Sequence, residues 1–219
     1  FNDFSRFIRV ESQGDYVFVR RKIRNQAIEM LKKIYLCTTA PSKSYKSWSN
    51  IPYLLHKNLE KKGYVVENYV MQEVEPFKTV FNLPIRALNK FFKLGTTYFY
   101  VRTPVHFLFT YLYSRFIGLM SAKQDVMVVQ GFSYPLHNGK NKQIVLGDWP
   151  SEYLFEKFLK RQPSRLERKS IDRENAVIEA ADAVITLFPN VREYMIRKYK
   201  NPNIYCFGNV VNVDDDVVL

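Results

Sequence analysis

Short apolar runs recur along this chain, each parted from the next by a segment of helical character: KIYLCTT (33–39), YVVENYVM (64–71), DVMVVQG (125–131), KQIVLGD (142–148), ADAVITLF (181–188) and NIYCFGNVV (203–211). Apolar runs this short fit strands covered on both faces. Repeated β–α alternation with helical crossovers implies an α/β fold, a parallel sheet with helices on both faces. In such a sheet a ligand site is expected beyond the carboxyl ends of the strands. IPYLLHKNLEKKG (51–63) is expected to be a helix, with Asn50 as its cap, Pro52 in its first turn and Gly63 closing it. Residues 1–32 form a lead-in, compatible with helix toward its end. Phe1 is an unusual first residue, so the true N-terminus is expected upstream.

A chain of 219 residues fits one large domain or two small ones. Its 33 Lys and Arg against 21 Asp and Glu give a net charge of +12. That excess favours acidic partners, whether nucleic acid, anionic lipid or a phosphorylated small molecule; a merely soluble basic surface is the plain alternative. Cys37 and Cys206 both fall in apolar runs, which reads as free thiols in a reducing compartment.

The loops after the apolar runs hold the candidate chemistry. Thr38, Thr39, Ser42, Lys43, Ser44, Tyr45 and Lys46 follow the first. Hydroxyls, amines and backbone N–H groups near a helix start suit an anion, although a polar surface loop has the same composition. Glycines of a phosphate-binding or dinucleotide loop are missing there. GFSYPLHNGKN, with His137 and Lys140, follows Gln130. Asp148 ends the fourth run, ahead of Trp149 and Pro150; an acid there serves as a base, binds hydroxyls or caps the next helix. His56 is expected on a helix surface and His106 among aromatic side chains.

From Pro76 to Gln124 no acidic residue occurs, while basic and aromatic residues are dense. FNLPIRALNKFFKLG brings Arg86, Lys90, Phe91, Phe92 and Lys93 together, and TPVHFLFTYLYSRFIGLM (103–120) is apolar but broken by Arg115. Basic residues beside exposed aromatics suit a helix lying on anionic lipid. A core helix with outward-reaching charges is the alternative, and both hold if one face meets the sheet and the other is exposed. A further basic region, EKFLKRQPSRLERKSIDRENAVIEAADAV, reads mostly as solvated helix, with Arg165, Arg168 and Arg173 the better candidates for reaching a cleft. Basic residues and aromatics also build single-strand nucleic-acid grooves, but no zinc-ligand spacing, helix-turn-helix or RNP-like run is present, and no metal site is expected.

The run Arg173-Glu174, then Ala181-Asp182-x-Val184-Ile185, Tyr199, and Asn209-x-Val211 resembles the closing part of the amino-terminal domain of two-Rossmann-domain (GT-B) glycosyltransferases, particularly the retaining family 4. The resemblance spans about residues 33–213 and rests most on 165–213. Departures are Phe188-Pro189 where the family has Ser, Val210 within its Asn-Gly-Val, TTAPSKSYKS for its Gly-rich first loop, and Gly147 where His often precedes the acid.

The resemblance implies a Rossmann-like acceptor-side domain over 33–213, with a basic aromatic insertion around 76–124. DDDVVL (214–219) would begin a linker to an absent donor-binding domain. It further implies a transferase that takes a nucleotide-sugar co-substrate and no other cofactor. Asp148 and His137 would lie near the acceptor hydroxyl. Thr39, Ser42 and Lys43 would line the cleft floor, and Arg165 or Arg173 would face a phosphate. The acceptor would be a saccharide or a polyprenyl-linked glycan, and the protein would sit peripherally on the cytoplasmic membrane face through Arg86, Lys90, Phe91, Phe92 and Lys93. A non-catalytic docking subunit of a split transferase and a basic single-strand nucleic-acid module are the competing expectations.

Overall fold

The structure, a computed structural model, describes residues 33–39, 41–43, 50–71, 75–93, 95–136 and 139–208. The lead-in 1–32, the loop residues Ser44, Tyr45 and Lys46, His137, and everything from Asn209 onward, the expected linker included, lie outside the described residues.

Six parallel strands form one sheet: β1 (Ile34–Thr38), β2 (Val66–Val70), β3 (Val126–Gln130), β4 (Lys142–Gly147), β5 (Ala183–Thr186) and β6 (Ile204–Cys206), in the order β2-β1-β3-β4-β5-β6. Each falls within one of the apolar runs. Period-2 alternation sorts their side chains onto two cores. Ile34, Leu36, Val126, Val128, Ile144, Leu146, Ala183 and Ile185 share one face. Tyr35, Cys37, Met127 and Val129, with Val145 and Val184, point to the other. Both faces being apolar, the strands read as continuous hydrophobic segments rather than as alternating ones.

Helices cover both faces. α1 (Ile51–Lys61) lays Ile51, Leu55 and Leu59 on the first. α3 (Pro104–Met120) contributes Ile117 to the second. There it is joined by Val177 and Ile178 of α5 (Arg165–Ala180) and by Val191, Tyr194 and Met195 of α6 (Pro189–Lys198). Gly63 closes α1 as expected, at φ +87° with its N–H on the Glu60 carbonyl at 2.8 Å. Asn50 holds the cap position at φ 64°, but its side chain makes no cap bond. Cys37 is fully buried, and burial pushes its thiol up to about 12, so it is an inert packing residue; both cysteines are free thiols.

α2 (Glu75–Phe92) is the outlier, because only Asn82 of it is buried. A short 3₁₀ turn, Tyr100–Arg102, joins it to α3. Polar ties hold α2 in place: Tyr100 N–H donates to Asn82 Oδ1 at 2.7 Å, and Asn89 exchanges two bonds with the Thr96 backbone. Ring contacts between Phe77 and Phe109 (5.9 Å) and between Phe81 and Tyr100 (5.8 Å) complete the seam.

His56, expected at the surface, is buried instead. The turn at Ser42 folds over it, bringing Ser42 Oγ to 2.7 Å from His56 Nδ1, while Glu60 sits 3.0 Å from Nε2. His106 is packed among aromatics as expected, edge-on to Tyr100 and Tyr134 at 5.1 and 5.5 Å.

Candidate functional site

The chain leaves β1 toward β2 on one side and returns through α2 and α3 to β3 on the other. β1 and β3 are therefore neighbours whose connections run in opposite directions, which opens a crevice at their carboxyl ends. A cleft of about 280 Å³ lies there. Thr39 after β1, Gln130 to Tyr134 from β3, Asp148, Trp149 and Ser151 after β4, and Glu174 from α5 supply its walls.

Local backbone chemistry shapes these walls. Gly131, at φ +100°, turns the chain out of β3, a conformation that disfavours a side chain, and its N–H donates to the Leu146 carbonyl at 2.7 Å. Gly147 is glycine for a different reason: a Cβ there would stand 2.6 Å from Phe132 Cε2. The Phe132 ring fills the space that a side chain at this position would need. Gly147→Ala should lower stability by about 1–3 kcal/mol through overpacking, read from urea unfolding; an unchanged midpoint would show that Phe132 yields freely. Thr186 Oγ1 donates to the Asp148 carbonyl at 2.6 Å and pins the chain just past β4. Trp149 stacks on Phe188 (5.9 Å, 24°) and meets Phe158 at 5.3 Å. Phe158 belongs to a π-helical turn, Leu154–Leu159, that continues the short helix α4 (Ser151–Tyr153).

Glu174 anchors the back of the cleft. Its carboxylate accepts from the Ser151 N–H and hydroxyl, both at 2.6 Å, and from the Ser133 hydroxyl at 3.3 Å. Burial pushes this carboxyl up from its ordinary value, opposed by Ser151, by the Arg102 charge and by Ser133. Arg173 and Arg102 stand behind it, around a recess of only about 10 Å³. Arg173 Nη2 donates to the Arg102 carbonyl at 2.5 Å, and its guanidinium lies 5.7 Å from the Phe107 ring.

Of the residues expected at the site, Asp148 and Thr39 come together in the cleft. Ser42 and Lys43 are not part of its wall. Ser42 is buried, its N–H donating to Asn68 Oδ1 at 2.9 Å and its hydroxyl committed to His56, and Lys43 is exposed. Arg165 is exposed at the start of α5, outside the cleft wall, and Arg173 lines the small recess. Sequence reasoning missed Gln130, Ser133, Trp149 and Ser151 as wall residues and treated Glu174 only as part of a helix pattern. The position of Ser151, just beyond Asp148 in the same strand-end loop, was the available signal.

Arg86, Lys90, Phe91, Phe92 and Lys93 are all exposed on the last turns of α2 and just beyond, with Phe91 74% and Phe92 69% accessible. α3 divides as the two-faced alternative requires. His106, Thr110, Ser114 and Ile117 face inward, while Leu108, Leu112, Phe116 and Leu119 are exposed, Leu119 by 77%. Among the described residues no helix is long and apolar enough to cross a membrane, and no group of three His, Cys, Asp or Glu is gathered as metal ligands.

Strand order and cleft position define the chain as a Rossmann-like α/β domain with its cleft at the switch point. No family model matches the chain, and no curated protein matches it.

Proposed function

We propose that this chain is the acceptor-binding half of a glycosyltransferase. It would move a sugar from a nucleotide-sugar donor to a saccharide or lipid-linked glycan at the cytoplasmic face of a membrane. The observation that carries this reading is Asp148 in a switch-point cleft beside Thr39, Trp149 and Glu174. The order of the Arg173-Glu174, Ala181–Ile185 and Asn209-Val211 motifs supports it. In this reading Asp148 takes the proton of the acceptor hydroxyl as that oxygen attacks the anomeric carbon. The bond from that carbon to the diphosphate breaks, and the nucleoside diphosphate leaves. A second Rossmann domain would hold most of the donor. His137, in the loop after β3, is proposed to stand near the same hydroxyl.

The exposed faces of α2 and α3 supply the membrane side of the reading. Apolar side chains from both helices, flanked by Arg86, Lys90 and Lys93, suit insertion into the headgroup layer of an anionic bilayer.

Asp148→Asn, in the protein expressed from its whole reading frame, should reduce turnover by about 10²-fold or more with the melting temperature held. Unchanged turnover would remove Asp148 from the chemistry.

A further inference from the structure

Residues 157–166, KFLKRQPSRL, carry four cations and no acid, and none of them lines the cleft. They end the π-helical turn and open α5. Arg161 faces inward: its Nη2 donates to the Gly95 carbonyl at 2.7 Å, and its two Nη atoms hold Glu167. The Thr97 N–H donates to the same carboxylate at 2.8 Å, and Asn89 of α2 is tied to Thr96. The stretch is thereby fixed against the end of α2, where Phe91, Phe92 and Lys93 are exposed. Glu167, the acid at this junction, is fully buried and its charge is met by Arg161.

What remains outward is amphipathic. Phe158 is 56% and Leu166 53% exposed, and Lys157, Lys160 and Arg165 are exposed with them. Two of these cations work against the local fold. Lys160 ends the π-helical turn at φ 48°, a left-handed conformation that glycine adopts far more readily. Arg165 sits in the first turn of α5, where the helix dipole favours an acid. Lys93, just past α2, repeats the first conflict at φ 50°. Cations placed where backbone and dipole disfavour them point to a surface with a task beyond folding.

We propose that residues 157–166 form a second lipid-binding element, which with the end of α2 makes a two-point seat for an anionic bilayer. This rests on the membrane side of the reading above. The exposed apolar side chains enter the headgroup layer while the cations meet lipid phosphates. The rigid link makes the second contact effectively intramolecular once the first has formed. Nucleic acid also takes cations and aromatics, but aliphatic Leu159 and Leu166 give a base nothing to stack on and suit a bilayer. Phe158 meets Trp149 of the cleft wall at 5.3 Å, so the seated bilayer lies beside the cleft.

Co-sedimentation of the protein, expressed from its whole reading frame, with vesicles of phosphatidylcholine and phosphatidylglycerol at low salt tests the proposal. Lys157→Gln/Lys160→Gly/Arg165→Gln removes the outward cations of the stretch and eases both of its local conflicts, so the melting temperature should hold. Binding should fall by at least about tenfold, and the gap from the parent should shrink at high salt. Phe158→Ser/Leu166→Ser should also lose at least about tenfold, a loss that persists at high salt. If that pair does not fold, the charge variant decides alone. A parent that binds while either folded variant stays within about tenfold of it overturns the proposal and leaves the membrane reading to α2 and α3. A parent that ignores the vesicles overturns both, and its retention of a single-stranded oligonucleotide instead would make nucleic acid the partner.

Discussion

Replacing Glu167 by alanine should lower the unfolding free energy by about 3 kcal/mol or more, the loss typical of a buried ion pair deprived of one partner. Glu167 is fully buried at the third position of α5 and closes a capping box with Ser164. Arg161 grips it with two bonds, Nη1 to Oε2 at 2.9 Å and Nη2 to Oε1 at 2.8 Å. The N–H groups of Thr97 and Ser164 donate to it at 2.8 Å each. Alanine would strand all these donors at once, so the penalty exceeds that of an exposed pair. Thr96 and Thr97 belong to the segment that follows α2, so the same variant should speed amide exchange at Thr97. A loss under about 1 kcal/mol in urea unfolding would place Glu167 among ordinary surface pairs.

The pH dependence has a defined sign. Burial would raise the Glu167 carboxyl, but Arg161, Thr97 and Ser164 outweigh it and hold the group well below its ordinary value of 4.5. Its stabilisation is complete above that value and is lost as pH falls toward the depressed one. Glu152, lowered by Asn175, Lys198 and Arg168 against its burial, adds to the same acid limb. Glu167→Ala should therefore show a shallower fall in melting temperature below about pH 4.5 than the parent chain.

The second large effect is at the membrane. Phe91→Ser/Phe92→Ser should weaken co-sedimentation with vesicles of anionic lipid by at least about 100-fold, since each phenylalanine contributes about 1.5–3 kcal/mol on leaving water. Both rings are among the most exposed apolar groups of the described residues, and Lys90 Nζ lies 5.9 Å from the Phe91 ring. Lys90 and Lys93 should each add about 1 kcal/mol near an anionic surface, so binding should fall with salt and on zwitterionic vesicles. Failure to bind anionic vesicles in low salt, or equal binding by the serine variant, would remove the membrane partner.

How much of this was legible in the sequence follows from the range of the interactions. The strands were readable because burial on two faces makes most residues of the central ones apolar, a local signal. Asp148 was readable as an acid at a strand's end. Glu174 was not, because it lies in a charge-rich helix and its role depends on Ser151 and Ser133, 23 and 41 residues away. His56 misled for the same reason: Lys57 and Glu60 make its helix look solvated, and only the distant Ser42 turn buries it. Gly147 needed Phe132, from another strand's loop, to explain it. Glu167 carried a local signal, S-x-x-E at Ser164, which marks a helix start before any fold is known.

The central assignment is tested most directly by sugar transfer. The protein, expressed from its whole reading frame, is incubated with tritiated nucleotide sugars and with free saccharide and polyprenyl-linked acceptors. Movement of label to an acceptor, with release of a nucleoside diphosphate and loss of both in Asp148→Asn, is the expected result. No transfer from any donor to any acceptor would contradict it.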